Sequence, residues 1–220
     1  MTKPRVTKPP MTKLPMTKPL GLRPKLLEAA TTLFRSKGFA ATSVDALCAA
    51  AGATKGAFFH YFPSKDALGV ATAEFWSETT GAMFARAPYH DHTDPLARVL
   101  GYLDFRGNLI AGSPEDFTCV AGTLVQEAFL TSPAIRVACD ASISGHAATL
   151  EADLEAALAQ HDVTSVTAQG LALHIQAVLQ GAFILAKAKG DAGIARASIV
   201  HLRRYFELLF KVNDSQRSTA

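Results

Sequence analysis

The sequence predicts an all-α protein: a small three-helix domain with a helix-turn-helix near the N-terminus, then a larger helical bundle, about nine helices in all. Three observations carry that reading. From Pro24 onward apolar residues recur at helical spacing, Gly and Pro fall mainly at the ends of those stretches, and no convincing run of strand-like alternation occurs. With 220 residues, 49% of them hydrophobic, the chain can bury one large core or two smaller ones, which excludes wholesale disorder.

The first twenty residues are a five-residue repeat, MTKPR, VTKPP, MTKLP, MTKPL, rich in proline and free of acids, and they predict a disordered basic arm over 1–22. Helix one follows: Pro24 suits a first turn, Leu26, Leu27, Ala30, Leu33 and Phe34 share a face, and Gly38 stops it. Thr42 or Ser43 caps a second helix whose Asp45 sits at the positive end of the dipole and whose Val44, Leu47, Cys48 and Ala51 turn inward until Gly52. Thr54 caps a third, Lys55 to about Tyr61; Pro63-Ser64 breaks it and caps a fourth, Lys65 to about Arg86. Past the loop APYHDHTDP, helical stretches are predicted near 94–111, 115–131, 134–160, 164–189 and 192–211. The resulting division is arm 1–22, helix-turn-helix domain 23–68, bundle 69–212 and tail 213–220.

Charge is unevenly spread. Residues 1–68 hold 11 Lys/Arg against three acids, whereas residues 69–220 hold 11 against 16, so a basic head sits on an acidic body. That asymmetry suits a head that meets a polyanion. Cys48, Cys119 and Cys139 form neither a C-x-x-C pair nor an even set, which fits a reducing cytoplasm better than a disulfide framework or a zinc site. No secretory leader or membrane span is expected, because the apolar stretch 171–186 is interrupted by His174, Gln176 and Gln180.

Two short helices joined by a glycine turn have the shape of a DNA-reading helix-turn-helix, although any short helical hairpin shares it. The apolar spacing leaves Thr54, Lys55, Gly56, Phe59 and His60 facing outward. The absence of bulk at Gly56 allows the backbone to approach a major groove. Over residues 26–68, LLEAATTLFRSKGFAATSVDALCAAAGATKGAFFHYFPSKDAL, the chain resembles the TetR family of repressors. The resemblance rests on the Gly-Phe after helix one, the Thr-Ser start of helix two, the Ala-Gly turn, the Lys-Gly-x-Phe-aromatic-x-aromatic-Phe segment and the Ser-Lys-Asp-x-x-Leu opening of helix four.

The resemblance implies double-stranded DNA as partner, with base and groove contacts from Thr54, Lys55, Gly56, Phe59 and His60 and phosphate contacts from Ser43, Tyr61 and Lys65. Phe59 departs from the tyrosine usual in the family and lacks its hydroxyl. The resemblance further implies a homodimer, released from a palindromic operator by a small effector, which the residues suggest is hydrophobic. An effector pocket, mainly apolar, is expected from Trp76, Tyr102, Phe105, Phe117, Cys119, Gln126, Glu127 and His174. The dimer interface is expected on the last two long helices, at Gly181, Phe183, Leu202 and Phe206, because those helices are apolar on more than one face. Plain core packing is the alternative for each of these aromatics, and an all-α binding protein without DNA is the alternative function.

Other chemistry is not expected. His90, Asp91, His92 and Asp94 lie in a connecting loop where solvation competes with metal binding, and no nucleotide-binding glycine pattern or nucleophile–base signature is present. Neither a cofactor, a metal, nor enzymatic activity is anticipated. Cys119 is a candidate thiol sensor or simply a small buried residue.

Overall fold

The computed structural model describes residues 21–211, so residues 1–20 of the arm expected over 1–22 and the tail expected from 213 lie outside the described residues, while Leu22, expected in the arm, opens the first helix. Within them the chain forms eleven α-helices and one 3-10 turn, with no strand. The head consists of α1 (Leu22–Lys37), α2 (Val44–Ala51) and α3 (Lys55–Tyr61). Helix α4 (Lys65–Phe84) leads from the head into the bundle, and the 3-10 turn Pro88–Asp91 follows it. The bundle continues with α5 (Pro95–Leu109), α6 (Pro114–Phe117), α7 (Val120–Ala128), α8 (Pro133–Ala148), α9 (Glu151–Gln160), α10 (Ala168–Lys189) and α11 (Ala192–Leu209).

Helix starts follow local chemistry. The side chains of Ser43, Thr54, Ser64, Asp94 and Thr167 each accept a hydrogen bond from the backbone N–H three residues on, satisfying a donor that the helix itself leaves unpaired. Two stretches expected to be continuous are broken. The stretch near 115–131 divides at Thr118 and Cys119, both extended, where the Cys119 sulfur accepts from Gly122 N at 3.4 Å and starts α7 afresh. The stretch near 134–160 divides at Thr149, whose hydroxyl donates to the His146 carbonyl at 2.7 Å, and at Leu150, which is buried. Neither break carries the Gly or Pro that would announce it.

Burial falls into two clusters. One joins α4's end, α5, α9, α10 and α11 around Leu103, Leu154, Ile175, Leu179 and Phe206. The other begins in the head with Leu26, Phe34, Leu47 and Phe58 and runs without interruption into Leu124 of α7 and Ile135 of α8. The head is therefore welded to α7 and α8 as well as to α4. Helix α10 is long and apolar enough by composition to cross a membrane, yet Leu171, Ile175, Leu179, Phe183 and Ala186 bury one face of it inside the bundle.

Candidate nucleic-acid interface and effector cavity

The turn between α2 and α3 is made by Gly52 in the left-handed conformation (φ 63°, ψ 39°), which a side chain adopts only at a cost, while Ala53 N donates to the Cys48 carbonyl at 2.8 Å. That turn sets α3 so that Phe58 is fully buried and Phe62 nearly so, and Thr54, Lys55, Gly56, Phe59, His60 and Tyr61 are exposed. Phe59 lies edge-on to Phe58 with ring centroids 5.1 Å apart, and a Cβ added at Gly56 would meet only the Thr54 hydroxyl oxygen, at 4.0 Å. The oxygens of Ser43 and Thr54 accept their capping bonds, which leaves each hydroxyl hydrogen available to an outside acceptor such as a phosphate. Lys55 is held at 2.8 Å by Asp45, both exposed, and this hydrogen-bonded carboxylate raises the lysine's pKa.

Lys65 has other work. The phosphate contact expected for it conflicts with its surroundings: its ammonium donates to the carbonyls of Phe39 (3.0 Å), Ala40 (3.4 Å) and Thr42 (3.2 Å) and lies 4.4 Å from the centre of the Phe39 ring. Three donors meet three acceptors, so no proton is left for DNA. Lys65 instead pins the loop between α1 and α2 from the α4 side. Glu127 pins it from the α7 side, accepting from Phe39 N at 3.1 Å and Ala40 N at 2.8 Å. Gly38 makes this possible, since its φ of 86° is unfavourable for other residues and an added Cβ would lie 2.5 Å from Glu127 Oε1.

Behind the head, six elements enclose a cavity of about 30 Å³. Trp76 and Thr80 come from α4, Arg106 from α5, Phe117 from α6, Cys119 from the start of α7, Ser142, Ile143 and His146 from α8, and Gln176, Gln180 and Phe183 from α10. Of the eight residues expected at the pocket, Trp76, Phe117 and Cys119 line it. Tyr102 stands just behind, fully buried, accepting from Arg106 Nε (2.9 Å) and lying 3.0 Å from His146 Nε2. Burial and the neighbouring Arg106 push the His146 pKa down to about 3, so the ring is neutral where it shares a hydrogen bond with the Tyr102 hydroxyl.

The other four depart from expectation. Phe105 packs on Phe84 and Tyr89, Gln126 donates to the Gly122 carbonyl one turn back, Glu127 holds the head loop, and His174 is exposed against Tyr205. The lining is also more polar than expected. Sequence reasoning passed over Gln176 and Gln180, whose spacing of four within an apolar helix puts two amides on one face; that spacing was the available signal.

The interface residues require a correction too. Phe183 is a cavity wall against Phe117, and Leu202 and Phe206 are buried within the chain's own core, so none of the three presents a face to a partner. On the same two helices the exposed large apolar residues are Leu173, Ile184, Leu185, Val200, Tyr205 and Leu208, with Gly181 half-buried and facing open space. Among the described residues no cluster of three or more His, Cys, Asp or Glu is placed to hold a metal ion.

Comparison with known proteins adds to this geometry. Residues 26–72 match the family described as bacterial regulatory proteins, tetR family, and residues 95–197 match the C-terminal domain of LmrA/YxaF-like transcriptional regulators. The chain belongs to the TetR family of transcriptional regulators. It is a DNA-binding transcriptional regulator, all-helical among the described residues. An uncharacterised HTH-type transcriptional regulator of Bacillus subtilis, YerO, is 35% identical over 54 residues, which span 24% of this chain and only 19% of that protein. Among solved structures, E. coli NemR in its reduced form is 26% identical with a TM-score of 0.71, covering 83% of this chain and 95% of that one. A TetR regulator from Chloroflexus aurantiacus is 26% identical with a TM-score of 0.72, covering 84% and 93% respectively. A regulator from Agrobacterium tumefaciens shares the fold at 24% identity and a TM-score of 0.73, covering 84% and 96%.

Proposed function

We propose that this TetR-family chain is a ligand-responsive repressor, cytoplasmic and homodimeric, that binds a palindromic DNA operator and lets go when a small molecule enters the cavity behind its head. Thr54, Lys55, Gly56, Phe59 and His60 enter the major groove, and Ser43 and Tyr61 hold the phosphates on either side. The observation that carries the reading is the double duty of Trp76. One side of its indole forms a wall of the cavity, and the Arg35 guanidinium of α1 lies over the ring at 5.1 Å. At about 30 Å³ the cavity has room for about one water molecule, so a ligand enters only by parting its walls. Displacing Trp76 moves α4 and the Arg35 contact together, and through them the head.

A larger groove of about 680 Å³ runs between α4 and α8, but it is an open surface, and its charged side chains, Glu74 and Glu78, are both acidic. For the dimer, Leu185 and Val200 supply exposed apolar surface on α10 and α11, and a second copy related by two-fold symmetry would cover it. Sedimentation equilibrium tests this. Leu185→Asp and Val200→Asp are expected to give folded monomers that no longer bind a two-half-site duplex; folded dimers would overturn the assignment of this face.

A further inference from the structure

The cavity carries a buried donor without an acceptor and a cation without a counter-ion. Gln176 is 5% exposed, and its amide nitrogen has no hydrogen-bond partner although it faces the cavity. An unpaired buried donor is unfavourable, and it is usually retained where something else completes it. Arg106 is the cation. Its Nε is taken by the Tyr102 hydroxyl and its guanidinium lies 4.4 Å from the centre of the Phe84 ring. Among the described residues no carboxylate lies within ion-pair distance of it, and the lining contains no Asp or Glu. The neighbouring imidazole is neutral, so Arg106 is the single formal charge in the lining.

We propose that the cavity selects an organic anion, a carboxylate on a flat apolar body, whose oxygens accept from Gln176 Nε2 and the Arg106 guanidinium while the body lies among Trp76, Phe117 and Phe183. The inference rests on the reading of this cavity as the effector site. A guanidinium presents parallel donors that match the two oxygens of a carboxylate, and such charge-assisted bonds are stronger than neutral ones. The three rings offer faces and edges to a planar body. The walls can part: Phe117 sits on a single-turn helix, and Arg106 and Gln180 are half-buried side chains able to swing.

The test is isothermal titration of the full chain with benzoate, phenylacetate and 1-naphthoate, each beside its primary amide, together with displacement of a labelled duplex obtained by selection from random DNA. At least one acid is expected to bind about tenfold or more tightly than its amide, a difference that loss of one charge-assisted pair supplies. Arg106→Met and Gln176→Leu are each expected to weaken that acid about tenfold or more. Gln176→Leu should also raise the melting temperature of the free protein, because it removes an unpaired buried donor. A purely structural glutamine would show the opposite change in stability. Amides that bind as well as the acids, or no heat from any acid up to millimolar concentration, would overturn the inference. Should the amides bind equally and displace the duplex, the effector-site reading stands while the choice of an anion fails. Should the acids bind selectively and leave the duplex bound, the anion site stands and ligand-controlled release fails.

Discussion

Removing Glu127 should loosen the head from the bundle. Its carboxylate accepts two backbone N–H bonds, from Phe39 and Ala40, in the loop that delivers the chain to the Ser43 cap of α2. A hydrogen bond to a charged group contributes about 1.5–3 kcal/mol when buried. Glu127 and Ala40 are exposed, so solvent screening brings the pair down to about 1–2 kcal/mol in total. For a chain of this size that is a fall in melting temperature of about 2–8 °C. Urea unfolding followed by far-ultraviolet circular dichroism would measure it for Glu127→Ala, and Glu127→Gln, which keeps one acceptor oxygen, should lose about half as much. Gly38 supplies an internal check. Gly38→Ala suffers both from its φ of 86° and from a Cβ placed 2.5 Å from Glu127 Oε1, so it should cost less in the Glu127→Ala background than in the wild type. A Glu127→Ala protein within about 0.3 kcal/mol of wild type, with additive Gly38 effects, would refute the clamp.

His146 makes stability fall in acid. Its pKa of about 3 in the folded chain lies below the ordinary 6.5, so the unfolded chain takes the proton first. Its contribution is complete above pH 6.5 and declines by about 1.4 kcal/mol per unit as pH drops toward 3; His146→Gln should flatten urea midpoints between pH 6 and 4, and an unchanged slope would contradict the burial argument. Asp45→Asn releases Lys55 from its 2.8 Å ion pair and should steepen the dependence of log affinity on log salt by up to about one per subunit; no change in slope would mean Lys55 does not reach a phosphate. Lys65→Met should lower thermal stability and leave that slope unaltered, because the ammonium is spent on three carbonyls; a slope reduced by about one would restore the phosphate role.

Much of the fold was legible because capping residues and glycine stops are local signals. Ser43, Thr54 and Ser64 start their helices where the sequence places them, and Gly52 turns between α2 and α3. What escaped was three-dimensional. A helix apolar around much of its circumference does not disclose which face turns inward, so Phe183 and Phe206 were taken for interface residues while Leu185 and Val200 carry the exposed surface. The resemblance implied a phosphate contact for Lys65, and Glu127 was read as a polar group orienting a ligand, whereas backbone groups 23 to 88 residues away hold both. Gln176 and Gln180 served in sequence only to argue against a membrane span, and their shared face gains meaning once α10 is set against Arg106.

The number of copies that engage DNA, and the forces by which they do so, define how this protein works. Labelled duplexes containing one or two selected half-sites, titrated with the full chain at 50 and 200 mM salt, would decide it. Two copies are expected per two-half-site duplex, with much weaker binding to a single half-site and an affinity that falls by about a thousandfold or more across that salt range. One copy bound to a single asymmetric site, or an affinity indifferent to salt, would contradict this expectation.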